Sequence, residues 1–196
     1  MRRKAYRHLR MSDIATTKGT ILNSLLKFIK SDLTPEQYER AIAELPADDR
    51  ATLATRVLPS AHVSETLLNR LTEVAARAKG EELEAFGRRA GMAEVADAVG
   101  LYRFLVIVLT PNALLSKAST TWSSVHNTGK MLVENQTAGS VRIRLSDFAS
   151  EPAHCARLTG WFVRLSEMTG AKDVRITHDQ CLARGAADCS WDLQWK

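Results

Sequence analysis

Three cysteines and one histidine in the last quarter of the chain are the residues whose types and spacing most plainly suggest chemistry. They are Cys155, His178, Cys181 and Cys189, in the pattern C-x22-H-x2-C-x7-C. Three thiolates and one imidazole make a closed tetrahedral zinc set, and soft sulfur donors disfavour magnesium and calcium. The spacing is not that of a zinc finger. The other reading of the same residues is three small buried cysteines and an ordinary strand histidine with no metal, because free cysteine packs as a small hydrophobe. Residues 179–187 (DQCLARGAA) have little apolar content to hold them down, a need that a metal tie would meet.

The elements around these residues are expected to bring them to one interface. Ser150-Glu151-Pro152 starts a helix that ends at Gly170, and Cys155, Leu158, Phe162 and Leu165 share one side of it. Cys155 falls in its first turn, where the helix dipole favours a thiolate. Two strands are predicted after it, Val174 to His178 and Asp188 to Trp195. Side chains alternate along a strand, so His178 joins Val174 and Ile176 on one face, and Cys189 joins Trp191, Leu193 and Trp195. Before the helix, Met131 and Val133 alternate with polar residues. After a turn at Thr137 to Ser140, Val141, Ile143 and Leu145 do the same, which reads as a hairpin.

Residues 13–127 read as helical. Ile21, Leu22, Leu25, Leu26, Phe28 and Ile29 form a helical stripe. Thr34, Pro35 and Gln37 form an N-terminal capping box, and Asp48 opens a short helix that must end near Pro59. Ser64 caps a longer helix that stops before Gly80. The helical pattern over 81–99 is interrupted by Gly87 and Gly91. The apolar stretch Leu101 to Leu109 is read as a core helix, and Thr110-Pro111 starts another that runs through about His126. The fold class is therefore α+β: N-terminal helices, then a β-β-α-β-β antiparallel sheet unit with helices covering the sheet.

The stretches Pro152-Ala-His-Cys155, Gly160-Trp161 and His178-Asp-Gln-Cys181-Leu-Ala-Arg-Gly185-Ala-Ala-Asp-Cys189 resemble the 4-vinyl-reductase-type domain over residues 129–195. That domain occurs in phenol-responsive bacterial activators and is distantly similar to the Golgi transport-particle subunits. The phenol sensors hold zinc with three cysteines and a glutamate. The resemblance aligns Cys155, Cys181 and Cys189 with the thiolates and puts His178 at the glutamate's place. It implies zinc as cofactor, a homodimer, and an apolar pocket between helices and sheet for a small hydrophobic ligand, with Phe104, Ile107, Trp122 and Phe162 as candidate lining. His126 is read as a solvated surface histidine. Lys18-Gly19-Thr20-Ile21-Leu22-Asn23 resembles two further groups, the haem-based nitric-oxide-binding domains and an uncharacterised myxobacterial family. The haem family's Tyr-x-Ser-x-Arg propionate clamp is missing, since Tyr occurs only at 6, 38 and 102 and none begins that motif. Haem is not expected.

Composition narrows the function classes. The 196 residues are 45% hydrophobic and 25% charged, which suits one cored globular domain over 13–196. The net charge of +5 comes entirely from Arg2, Arg3, Lys4, Arg7 and Arg10, so 1–12 reads as a disordered basic arm. Nucleic acid is expected as a partner only through that arm. The longest apolar run, ending at Leu109, is too short to span a bilayer, and no secretory h-region follows the arginines. Three cysteines, an odd number, point to reduced thiols or metal ligands and to the cytoplasm. No GxxxxGK[ST] loop, G-x-S-x-G elbow, HExxH pair or deaminase signature is present, so no catalytic residue is assigned. The leading expectation is a stand-alone sensory module with a structural zinc that signals through a protein partner. The alternative is a dimeric interaction or tethering adaptor without a working pocket.

Overall fold

The computed structural model describes residues 15–99 and 109–196. The basic arm 1–12 and the candidate lining residues Phe104 and Ile107 lie outside them, as does nearly all of the stretch read as a core helix. The elements run β1 (Thr16–Lys18), α1 (Gly19–Asp32), α2 (Pro35–Ala43), α3 (Ala47–Leu53), β2 (His62–Ser64), α4 (Glu65–Lys79) and α5 (Leu83–Val99). They continue with α6 (Pro111–Leu115), α7 (Ala118–Val125), β3 (Lys130–Glu134), β4 (Ser140–Ser146), α8 (Pro152–Met168), β5 (Arg175–Gln180) and β6 (Cys189–Gln194). This is the α+β arrangement expected, with the last four strands forming one antiparallel sheet in the order β3-β4-β6-β5.

Local chemistry accounts for most element ends. Thr34 and Gln37 close a reciprocal capping box with Pro35 at the first helical position of α2. Ser64 caps α4, and Gly80 takes the left-handed conformation after it at φ 74°. Other boundaries differ from expectation. The helix expected over 111–126 is two helices, because the chain tightens at Lys117, whose N–H bonds back to Leu114 O. The α3 helix opens at Ala47, one residue before Asp48. The short pair β1–β2 was not anticipated; three residues on each side are too few to show alternation.

Gly87 and Gly91 do not interrupt α5, which is continuous. They are contact points. A Cβ at Gly91 would collide with the carbonyl oxygen of Arg157, and one at Gly160 with that of Arg88. At Gly87 an added Cβ would lie 2.6 Å from that of Ala156. The missing side chains let the backbones of α5 and α8 touch, and α8 is buried on nearly every side from Ala153 to Gly160. Two apolar clusters result. One lies among α1, α2, α4 and α5; the other lies between α8 and the sheet, around Ile143, Leu145, Phe162 and Trp191.

Candidate functional site

The sheet register places the four sequence-selected donors together. Cys189 pairs with Leu145, His178 pairs with Trp191, and a bulge between His178 and Gln180 turns the chain towards Cys181. The segment after Cys181 then folds on itself. Arg184 and Ala186 donate their N–H groups to Cys181 O at 2.9 and 3.1 Å, and Arg184 Nη2 donates to His178 O at 2.8 Å. From above, α8 brings in Cys155, 3.7 Å from Cys189 Sγ to Sγ. One ligand atom from each of Cys155, His178, Cys181 and Cys189 lies within 4.8 Å of every other. The three cysteines are buried, and the His178 ring stacks on the Trp191 indole at 4.5 Å with the planes 5° apart. Donation from Cys155 to Cys189 holds the Cys189 thiol down to about 4 and pushes Cys155 up; His178, Ser150 and the Leu182 N–H also favour the Cys189 thiolate. Four such donors around one point could hold a single metal ion of soft or borderline character.

A second feature lies further along α8, beyond Cys155. A cavity of about 400 Å³ opens between α1, α6, α7 and α8. Ile21, Leu114, Leu115, Val125, Leu158 and Leu165 supply aliphatic wall, and Trp122, Trp161 and Phe162 supply aromatic wall. Trp122 and Phe162, two of the four candidate lining residues, both face it. Thr20, Thr121, His126, His154 and Arg157 supply its polar side chains, and none of the five was selected from the sequence as a lining residue.

His126 in particular is not a surface residue. Its side chain is 8% exposed, because residue 126 bridges to Thr17 of β1 and its ring stacks 3.8 Å from that of Trp122. Burial, reinforced by the Arg157 charge, lowers its pKa to about 3 and holds His154 well below the usual range, so both imidazoles are neutral. Arg157 is buried between two carboxyls. Its Nε donates to Glu94 at 2.9 Å and its Nη1 to Glu65 at 3.3 Å, while Trp161 Nε1 donates to the other oxygen of Glu94 at 2.7 Å. Burial raises both carboxyls and the Arg157 charge opposes it. A charged residue amid the buried face of an apolar helix was the sequence signal for this network, and it is only readable once α8 is known to be covered from Ala153 to Gly160.

The sequence profile of the family described as protein of unknown function DUF2378 matches residues 66–196, two thirds of the chain. The chain belongs to the DUF2378 family. No curated protein matches it. Among solved structures, this DUF2378 chain is similar to an H-NOX protein from S. oneidensis in its Fe(II)NO state, at TM-score 0.71 and 14% identity, over 91% of this chain and 99% of that one. An unliganded Fe(II) H-NOX mutant from K. algicida is similar at TM-score 0.71 and 11% identity, over 91% and 96%. An oxygen-binding H-NOX domain related to soluble guanylate cyclases, in its oxygen complex, is similar at TM-score 0.63 and 9% identity, over 91% and 92%. These likenesses establish the fold.

They overturn the 4-vinyl-reductase resemblance and the zinc inferred with it. The three solved structures just described share the fold over nine tenths of this DUF2378 chain and are H-NOX proteins, two of them in Fe(II) states. The cysteine–glycine–cysteine stretch is a local loop device, whereas the fold is decided by how α4 and α5 pack on α8 and how α8 packs on the sheet. The weaker resemblance, at Lys18 to Asn23, is the one the fold agrees with.

The H-NOX fold implies haem, which needs an axial ligand and counter-charges for two propionates. Arg157 is the one cationic side chain among the described lining residues, and it is engaged by two buried carboxyls. His126 and His154 both lie against the buried Glu65 of this ion network, which leaves no cation among the described lining residues for a propionate. The described residues do not fit haem, in keeping with the missing propionate clamp. Among the described residues, no helix is long and apolar enough to cross a membrane.

Proposed function

We propose that this chain is a sensory module that admits a small, largely apolar molecule to the cavity between α1, α6, α7 and α8 and passes its occupancy to a protein partner. The observation that carries this reading is the cavity itself: about 400 Å³, walled by aliphatic and aromatic side chains, with polar groups confined to a few residues. That is the size and chemistry of a small-molecule site. A fold similar to domains solved with nitric oxide or oxygen supports it. No catalytic residue is assigned.

Titration of the purified chain with the apolar fluorophore N-phenyl-1-naphthylamine tests the reading. Saturable binding of one probe per chain is expected, and Ala118→Phe, which puts a ring into the cavity, abolishes it. Absence of binding to the folded wild-type protein overturns the proposal and favours an adaptor that works through its surface.

The convergence of Cys155, His178, Cys181 and Cys189 within 4.8 Å supports a second, independent assignment: these side chains ligate one metal ion as a structural tie between α8 and the β5–β6 connection. No particular metal is assigned. Total metal analysis of protein purified without added metal should give one ion per chain, and stoichiometric absence of every metal overturns it.

A further inference from the structure

Three polar atoms in the wall of the cavity and just behind it have no partner: Nδ1 of His126, Nδ1 of His154 and Oε2 of Glu65. Their side chains are 8%, 2% and 2% exposed. His126 and His154 line the cavity with ring centroids 6.2 Å apart, and Glu65 lies 3.9 Å from a nitrogen of each. That distance is too long for a hydrogen bond, so neither imidazole satisfies the carboxyl. Buried polar groups without partners are rare and destabilising, and three in one patch beside an apolar cavity mark the place of a ligand's polar group.

The charges around the patch limit what that group can be. Arg157 is answered by both Glu94 and Glu65, and Glu151 adds a further negative charge felt at Glu65. An anionic head would meet buried carboxyls with no unengaged cation among the described lining residues. A neutral imidazole carries one N–H and one bare nitrogen, so a hydroxyl can donate to it and accept in return.

We propose that the cavity selects small amphiphiles with one uncharged, hydrogen-bond-donating head, a hydroxyl being the simplest, seated at His126, His154 and Glu65, and that it rejects anionic heads. This rests on the reading of the cavity as a ligand site.

Three probes of matched size separate the two ideas: octan-1-ol, 1-methoxyheptane, which cannot donate, and octanoate. Binding is read by calorimetry at pH 8 on the full chain. Octan-1-ol is expected to bind about three- to tenfold more tightly than the ether, the effect of one net hydrogen bond. Octanoate should bind at least tenfold more weakly than octan-1-ol. His126→Phe keeps the ring against Trp122 and removes its nitrogens, so the alcohol's advantage over the ether should shrink towards unity. If that variant does not fold, the wild-type ranking decides. Equal binding of all three probes, or tightest binding of octanoate, overturns the head-group selection and leaves the cavity reading standing. Failure of all three to bind overturns both.

Discussion

Arg157 Nε donates to Glu94 Oε1 at 2.9 Å inside the crossing of α5 and α8, with the two side chains 4% and 0% exposed. Glu94 lies one turn beyond Gly91, which admits the backbone of Arg157, so the close helix approach and the buried charge occur at the same crossing. Removing only the cation leaves Glu65 and Glu94 buried without it. Arg157→Leu should therefore cost about 3–5 kcal/mol in urea unfolding, and adding Glu94→Leu should restore part of the loss. A double change that costs the sum of the two single ones would contradict this coupling.

Gly91→Ala and Gly160→Ala test the backbone contact directly. Each added methyl meets a carbonyl oxygen of the facing helix, so the helices must separate, at a cost of about 1–3 kcal/mol or more. Gly80→Ala is the comparison. Nothing lies within 4 Å of a Cβ there, and only the strain at φ 74° opposes it, about 1–2 kcal/mol. Equal effects on solvent-exposed area in unfolding, with no loss of stability at 91 and 160, would argue against the tight crossing.

The pH dependence follows from His126. Its folded pKa, about 3, lies below the ordinary 6.5 because burial and the Arg157 charge disfavour the imidazolium. Between these values the unfolded chain binds the proton and the folded chain does not, so stability falls as pH drops below about 6.5 and continues to fall towards 3. Glu65, His154 and Trp122 also face this ring, and Glu65, with its raised pKa, acts in the opposite direction above its ordinary value. Melting temperatures measured from pH 8 to pH 5 should decline on the acid side, and His126→Phe should flatten that slope.

Cys189→Ser removes the sulfur that meets Cys155 and accepts the Leu182 N–H at 3.3 Å. Metal content should fall from one ion per chain towards none. The melting temperature should drop by about 5 °C or more, as a loss of about 2 kcal/mol shifts a chain of this size by 2–4 °C per kcal/mol. Unchanged melting in a metal-free variant would remove the structural tie.

The sequence by itself determined the pieces whose cause is local. Thr34 and Gln37 mark a helix start because their side chains bond backbone groups three residues away, and the alternation of Val141, Ile143 and Leu145 marks a strand because pleating alone sorts its faces. The meeting of Cys155, His178 and Cys189 was also legible, since one helix stripe and two strand faces aim them at one interface, whereas Cys181 arrives through the bulge after His178. What these residues resembled was misleading, because a motif of four donors is short and the arrangement of the helices over it is not written in it. Only the tertiary structure decided that Gly87 and Gly91 are contacts rather than interruptions, and that His126 is buried. It alone showed that Arg157, Glu65 and Glu94, drawn from three different helices, meet beside a cavity. Burial depends on what covers a residue from elsewhere in the chain, and no local pattern carries that information.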